Sequence, residues 1–349
     1  MRKVFVGLSG GVDSAVSAAL LKEQGYAVTG CFIKIWQPEF IECTWREDRL
    51  DAMRVAATLG IPFLEVDLSD EYKKEVVDRM VGDYARGITP NPDILCNRII
   101  KFGHFAKWAR ENGADYVATG HYAMIENVSQ SFCLLRGRDR NKDQSYFLHQ
   151  LTEENLTHTL FPIGDLNKDD VRILAKKFGL PNAEKADSQG ICFLGDVSME
   201  EFLSRFIPLK HGAVLDMNGD IVGEHHGAAL YTIGQRHGFT VQNVGETEGG
   251  HYVVSVDTAQ NTITVSPRRE DAARSEILIE GMHWINEPPL VPLQAHAQGR
   301  YRESPVPVRV TEDKDRLKII FDEPHIVAPG QSLVLYEEDR CLGGGTILR

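Results

Sequence analysis

The chain is predicted to be an α/β protein. A parallel-sheet domain comes first, followed by smaller β-rich domains that include a C-terminal β-barrel. Three observations predict this. The 349 residues exceed one ordinary domain. The first 120 residues alternate β-branched runs with helix-spaced runs, many of the latter stopped by glycine. Beyond Pro208 helical spacing ends, and short β-rich runs alternate with Gly, Asn-Gly and Pro-Pro turns. The expected division is 1–207, 208–275 and 276–349, the second boundary being the softer.

Taken in order, Val4–Leu8 is apolar and predicts a strand, and Ala15–Gln24 predicts a helix. Ala27–Ile35 is rich in β-branched and aromatic residues, a second strand. Asp48–Leu59 has helical spacing and stops at Gly60, and Pro62–Val66 is a third strand. Asp70–Tyr84 and Asn97–Glu111 are amphipathic helices, the latter stopped by Gly113 before strand Tyr116–Thr119. A hairpin is expected from Ala123–Glu126 and Phe132–Leu135, then helices over Asp143–Leu151, Lys168–Phe178 and Met199–Phe206. Asn218-Gly219 between Ala213–Met217 and Asp220–Gly223 marks a two-residue hairpin turn. Later strands are His251–Asp257, Thr262–Ser266, Val306–Val310, Leu317–Phe321 and Ser332–Tyr336.

Composition is that of a soluble protein, with 42% apolar and 25% charged residues. No run is long and apolar enough to span a membrane, and the first strand begins almost at once, so a cytoplasmic protein is expected. Six cysteines (31, 43, 96, 133, 192 and 341) are too few for a disulfide scaffold and form no Cys-x-x-Cys pair, so no metal site is expected. The net charge of −12 argues against indiscriminate nucleic-acid binding. Residues 213–349 carry 12 basic against 20 acidic side chains, whereas Arg136, Arg138, Arg140 and Lys142 crowd one loop with only Asp139 against them. Such a loop can meet phosphates even on an acidic protein.

Ser9-Gly10-Gly11-Val12-Asp13-Ser14 joins the first strand to the first helix. Paired glycines permit a tight turn and close anion approach, and the helix N-terminus favours negative charge. Ser9 and Ser14 add hydroxyls, and Asp13 could orient Mg²⁺ or pyrophosphate through water. The lysine of a Walker A loop is absent. Thr89-Pro90-Asn91-Pro92-Asp93-Ile94-Leu95-Cys96-Asn97 is a second focus. Its prolines stiffen an extended loop that delivers Asp93 and Cys96 just before a helix expected near Asn97, whose N-terminus, helped by Lys101 or Arg98, would favour a thiolate. Asp93 is better suited to proton transfer or orientation. Cys192, between Gly190 and Gly195, supplies a second thiol, and two such cysteines on separate loops suggest sulfur chemistry. Gly120-His121 ends the fourth strand, where ligands gather in parallel sheets. Lys142-Asp143-Gln144 closes the basic loop; Lys142 suits a phosphate and Gln144 a base edge, while Asp143 can equally cap a helix.

Ser9–Ser14 resembles the loop of the PP-loop ATP pyrophosphatases. With Asn91–Asn97, Ala118–Tyr122, Lys142–Phe147, Ser188–Phe193 and Tyr231–Arg236, it also resembles, in order and spacing, the bacterial tRNA-specific 2-thiouridylase family. The likeness runs on through Gly299–Arg302 and Pro329–Ser332. It implies an adenine nucleotide alpha hydrolase-like fold and replacement of O2 by sulfur in the wobble uridine, position 34, of tRNA, with ATP consumed to AMP and pyrophosphate. It implies ATP at Gly7, Leu8, Ser9, Gly10, Gly11, Val12, Asp13, Ser14, Gly120 and the Ile33 backbone, with Mg²⁺ as companion. Asn91, Pro92 and Asp93 would meet the target base, with Cys96 the nucleophile and Cys192 the persulfide carrier. His121, Lys142, Asp143, Gln144, Arg300, Tyr301 and Gln331 would touch the tRNA anticodon stem-loop. The sulfur would come from a persulfide donor or relay protein. Two departures stand out: Ile33 where the family has methionine, and His237–Gln242 in place of a glycine-rich run.

Adenylation would convert a poor leaving oxygen into AMP. A Cys192 persulfide could then attack C2 and be resolved by Cys96, or Cys96 could first free hydrosulfide; either order leaves a Cys96–Cys192 disulfide to be reduced. Rival readings are a PP-loop ligase acting on a small carboxylate, a non-catalytic RNA-binding module, and an iron–sulfur cluster held by Asp93, Cys96 and Cys192.

Overall fold

In the first sheet, β1 (Lys3–Gly7) has Val4, Phe5 and Val6 all buried, the mark of a strand covered on both faces. The computed structural model describes residues 1–40, 45–186, 193–195, 197–242 and 250–348. β1 is followed by helix α1 (Val12–Glu23), β2 (Ala27–Lys34), helix α2 (Trp45–Leu59), β3 (Phe63–Asp67) and β4 (Tyr116–Ala118). After the hairpin β5 (Ala123–Val128) and β6 (Ser131–Arg136), β7 (Thr159–Leu160) completes the sheet. Its order is β3-β2-β1-β4-β7, with every pair parallel. The strand order reverses between β1 and β4, so the chain leaving each opens a crevice at their carboxyl ends. α2 buries Ala52, Val55, Ala56 and Leu59, a stripe at helical spacing.

Two helices differ from their predicted limits. The helix expected over Asp70–Tyr84 spans 69–85 with a wide-turn π stretch at Lys73–Val77. The one expected from Asn97 begins five residues earlier, at Pro92. It continues through a π stretch, Cys96–Phe105, to Glu111. Pro92 takes the first helical position, where a missing N–H costs nothing, and Asp93 sits favourably in the first turn. Cys96 therefore lies one turn inside the helix rather than ahead of it. The helix expected over Asp143–Leu151 shrinks to Ser145–Leu148. There the Asp143 carboxylate accepts from Gly137 N at 2.9 Å and Ser145 N at 3.1 Å, which holds a turn instead.

The second sheet contains β8 (Gly212–Leu215), β9 (Ile221–His225), β10 (Phe239–Val241), β11 (Tyr252–Asp257) and β12 (Thr262–Ser266). Its order is β10-β9-β8-β12-β11. Asp216 clasps the expected Asn218-Gly219 turn by accepting from Asn218 N and Asp220 N, both at 2.9 Å.

Six further strands close a barrel: β13 (Arg274–Trp284), β14 (Leu293–Gln298), β15 (Val306–Asp313), β16 (Arg316–His325), β17 (Ser332–Glu337) and β18 (Arg340–Ile347). They run β13-β16-β15-β14-β17-β18, and β13 pairs with β18. The β5–β6 hairpin leaves the first sheet and extends the barrel, Leu134 and Leu135 of β6 pairing with Cys341 and Arg340 of β18. Among the described residues no helix is long and apolar enough to cross a membrane.

His149 seals this junction. Its Nδ1 lies 2.9 Å from the Tyr146 carbonyl, and its buried Nε2 has no hydrogen-bond partner among the described residues. Gly344 of β18 leaves room for the ring: a Cβ there would lie 2.7 Å from His149 Cδ2. Burial pushes the imidazole down from 6.5 to about 4. The folded state thus refuses a proton that the unfolded chain accepts below its ordinary value. Stability is expected to be full above pH 6.5 and to fall as pH drops toward 4, by up to ~3 kcal/mol from this group. Melting curves across that range check it. His149→Asn, which keeps a donor near the Nδ1 position, should flatten the dependence by up to one proton; an unchanged slope would contradict the assignment.

Candidate active site

The crevice between β1 and β4 is built by backbone first. Gly10 has φ +77°, and a Cβ there would lie 2.5 Å from the Asp48 carbonyl, so only glycine fits the turn. Ser14 Oγ donates to Gly11 O at 3.1 Å and lies 3.3 Å from both Ser9 N and Ser9 Oγ, which ties the loop to the first turn of α1. Gly120, just past β4, packs onto that turn: a Cβ would lie 2.6 Å from Ser14 N. Ile33, near the end of β2, places its Cδ1 3.6 Å from where a Gly7 Cβ would be. Gly7, Ile33 and Gly120 thus stand at the carboxyl ends of three adjacent strands.

The cation missing from the loop arrives from elsewhere. Lys168 opens the helix Lys168–Lys177, and its ammonium lies 2.7 and 2.9 Å from the two Asp13 carboxylate oxygens. Tyr122 donates its hydroxyl to Asp13 Oδ1 at 2.9 Å. Asn182 donates to the Gly10 carbonyl at 2.8 Å, while its own buried Oδ1 has no hydrogen-bond partner among the described residues. The sequence reading assigned no role to Lys168, Tyr122 or Asn182. One signal pointed to Lys168: a phosphate loop without its own lysine invites a cation from a nearby helix start, and Asn167 with Asp170 forms a capping box there.

His121 follows Gly120 and is 7% exposed. Lys101 Nζ approaches its Nε2 at 3.5 Å; an ammonium only donates, so Nδ1 carries the proton toward Thr119 Oγ1 at 2.7 Å. Burial, and then Lys101, hold the imidazole well below its ordinary value, so it is neutral. Lys101 also faces Asp93. Burial raises the Asp93 carboxyl and Lys101 partly offsets this, so Asp93 takes up a proton at higher pH than an ordinary carboxylate. Through Gly120 on Ser14 and His121 beside Lys101, the glycine loop is linked to the helix that carries Asp93 and Cys96. Cys96 is 8% exposed, and Cys31, Cys96, Cys133 and Cys341 are not joined in disulfides. Cys192, like Cys43, lies outside the described residues.

The remaining predicted residues fall in two groups. Asn91 caps the Cys96 helix and its side chain meets the Tyr146 hydroxyl, while Pro92 is buried. Gln144 accepts from Tyr122 N at 3.0 Å and returns its own N–H to Tyr122 O at 2.8 Å. Asp143 is buried and pairs with Arg136 at 2.8 Å. Arg140 pairs with Asp339 at 2.6 Å, so the basic loop is less positive than its sequence. Lys142 is half-buried beside Asp143. Arg300 donates to the Ile233 carbonyl at 2.5 Å, Tyr301 stacks on Phe147 with centroids 4.5 Å apart, and Gln331 reaches Thr89 O at 2.7 Å. These last three lie at contacts between the barrel and the rest of the chain.

Three family models match in succession: a tRNA methyl transferase HUP domain over 2–196, a tRNA methyl transferase PRC-barrel domain over 200–267, and an aminomethyltransferase beta-barrel domain over 274–347. The tRNA-specific 2-thiouridylase MnmA of Stenotrophomonas maltophilia (strain R551-3) is 46% identical over 99% of this chain and 93% of its own. That of Shigella flexneri serotype 5b is 44% identical over 99% of this chain and 96% of its own. The chain belongs to the tRNA-specific 2-thiouridylase family. Among solved structures, the U34-tRNA thiolase NcsA of Methanococcus maripaludis aligns over 58% of this chain and 62% of its own, at 20% identity and a TM-score of 0.36. The domain models carry methyl transferase names, whereas these full-length relatives are 2-thiouridylases.

Proposed function

We propose that this protein is an ATP-dependent tRNA-uridine 2-sulfurtransferase acting at wobble position 34. The observation that carries the reading is full-length kinship with the 2-thiouridylases, on a chain whose glycine loop is linked to the helix of Asp93 and Cys96. ATP fits the loop: amides at a helix N-terminus, the Ser9 and Ser14 hydroxyls, and Lys168 form a phosphate cradle, which methyl transfer would not need. Mg²⁺ fits as a companion of the triphosphate; Asp13 would hold it through water, and the ion would neutralise charge on departing pyrophosphate. Among the described residues no three His, Cys, Asp or Glu side chains gather as a metal site, so most ligands would come from ATP.

The uridine O2 attacks the α-phosphate and pyrophosphate leaves, so that O2 departs as AMP in the next step. In the direct order of sulfur transfer, the terminal sulfur of a Cys192 persulfide attacks C2 and AMP leaves. The Cys96 thiolate then attacks Cys192 sulfur, which leaves the second sulfur on C2 as the thiocarbonyl and joins Cys96 to Cys192. An external thiol reduces that disulfide, and a persulfide donor protein reloads Cys192. Neutral His121 can accept or orient but adds no charge, and Asp93, with its raised proton affinity, is suited to hold a proton near the base. Incubation with tRNA, ATP and a persulfide donor should yield 2-thiouridine among the anticodon nucleosides by mass spectrometry, with one AMP per base. AMP without thiolated nucleoside, or neither, would refute the reading.

A further inference from the structure

Between helix 69–85 and helix 92–111 the chain has no regular structure, yet this segment leads straight to Asp93 and Cys96. Its last helix-type backbone bonds are Gly87 N to Tyr84 O and Ile88 N to Asp83 O. Beyond them the carbonyls of Thr89 and Pro90 are held by one side chain from the barrel. Gln331 Nε2 donates to Thr89 O at 2.7 Å and lies 3.3 Å from Pro90 O. From the opposite side, Thr232 beside the second sheet places its Oγ1 3.0 Å from Thr89 Oγ1.

The gripping side chain is itself fixed. Gln331 N donates to Ala328 O at 3.1 Å, and Ile347 N donates to Gln331 O at 2.9 Å, which welds the turn to the end of β18. Gly330 has φ +88°, and a Cβ there would lie 2.2 Å from Ile88 Cγ2 and 3.0 Å from Thr89 N. The two backbones meet with no room between them. On the other side Thr89 and Thr232 line a cavity of about 480 Å³ shared with Ile233, Val327 and Pro329. On that side packing does little to hold Thr89, and the hydroxyl contact with Thr232 is what meets it.

We propose that Gln331 and Thr232 are positioning residues for the Cys96 helix: by holding Thr89 and Pro90 from two sides, they set where Asp93 and Cys96 stand. The link to catalysis rests on the function proposed above. A donor pair spent on Thr89 and Pro90 also gives Gln331 a role in the protein before any RNA binds.

The test is Gln331→Leu, which keeps bulk and removes both N–H donors, with Thr232→Val as the variant acting from the other side. Iodoacetamide labelling, read peptide by peptide, should modify Cys96 about fivefold faster in Gln331→Leu, through easier local opening, with the fully buried Cys31 and Cys341 unchanged. The kcat for thiolation should fall about tenfold while KM for tRNA stays within about twofold. Gln331→Glu should recover part of kcat as pH is lowered, because a protonated carboxyl donates again. Cys96 labelling at the wild-type rate, or a raised KM for tRNA with kcat intact, would overturn the inference; the latter would make Gln331 an RNA contact. If Gln331→Leu does not fold, Thr232→Val decides by the same two readings. Should the wild-type protein make no 2-thiouridine, the proposed function falls, and Cys96 labelling still judges the positioning alone.

Discussion

With Cys96→Ser, formation of 2-thiouridine is expected to drop by at least about a thousandfold, while ATP and tRNA bind within about twofold of wild type. The size of the effect follows from chemistry rather than from folding. Cys96 is buried among Ile94, Leu95 and Ile100 in the Pro92–Glu111 stretch, where a hydroxymethyl group takes much the same space. What serine lacks is a nucleophile able to ionise near neutral pH and to open a sulfur–sulfur bond. The variant also separates the two orders of sulfur transfer. If the Cys192 persulfide attacks first, Cys96→Ser should accumulate tRNA joined to Cys192 through a disulfide that reductant releases. If hydrosulfide is freed first, no such adduct forms. Undiminished thiolation by Cys96→Ser would end the two-thiol scheme altogether.

Lys168→Met is expected to slow AMP formation by about a hundredfold, the scale of losing one fixed charge at a developing phosphate anion. Lys168 is 12% exposed as a side chain and bridges both oxygens of Asp13, which is 31% exposed. In the free protein that pair restrains the head of α1. With ATP in the crevice, the same ammonium is the cation placed to meet the phosphates that the loop cradles only with amides and hydroxyls. AMP released from tRNA and ATP, followed by chromatography, measures the step without reference to sulfur. A rate within twofold of wild type would show that amides and Mg²⁺ suffice. Thermal melting should accompany it, because removing one partner of a partly buried ion pair also destabilises.

The residues that were legible in sequence are those whose job is local. A strand, two glycines and a helix start are read from neighbouring residues alone, and Gly10 has the positive φ of a tight turn while Gly120 packs on the first turn of α1. The Cys96 segment was legible in kind but not in detail. Pro90 and Pro92 were read as stiffeners of one loop, whereas Pro92 is the first residue of a helix, which moves Cys96 a turn inward. β18 was invisible because Gly343, Gly344 and Gly345 look like a turn. They are glycines because a Cβ at Gly343 would lie 1.9 Å from the His283 carbonyl and one at Gly344 would strike His149. The ion pairs of the basic loop were hidden for the opposite reason: its Arg136 and Arg140 meet Asp143 and Asp339, the latter distant in sequence.

By itself, then, the sequence determined the α/β class, the lysine-free phosphate loop, the thiol at Cys96 and the change to β structure after Pro208. Short-range rules govern all four: backbone sterics, helix starts, side-chain period and thiol chemistry. Only the tertiary structure decided which cation serves the loop, which carbonyls Gln331 holds, and that the β5–β6 hairpin belongs to the barrel. Lys168 lies 155 residues from Asp13, and Gln331 lies 242 from Thr89. No local preference encodes such a meeting; it exists only once three sheets have packed.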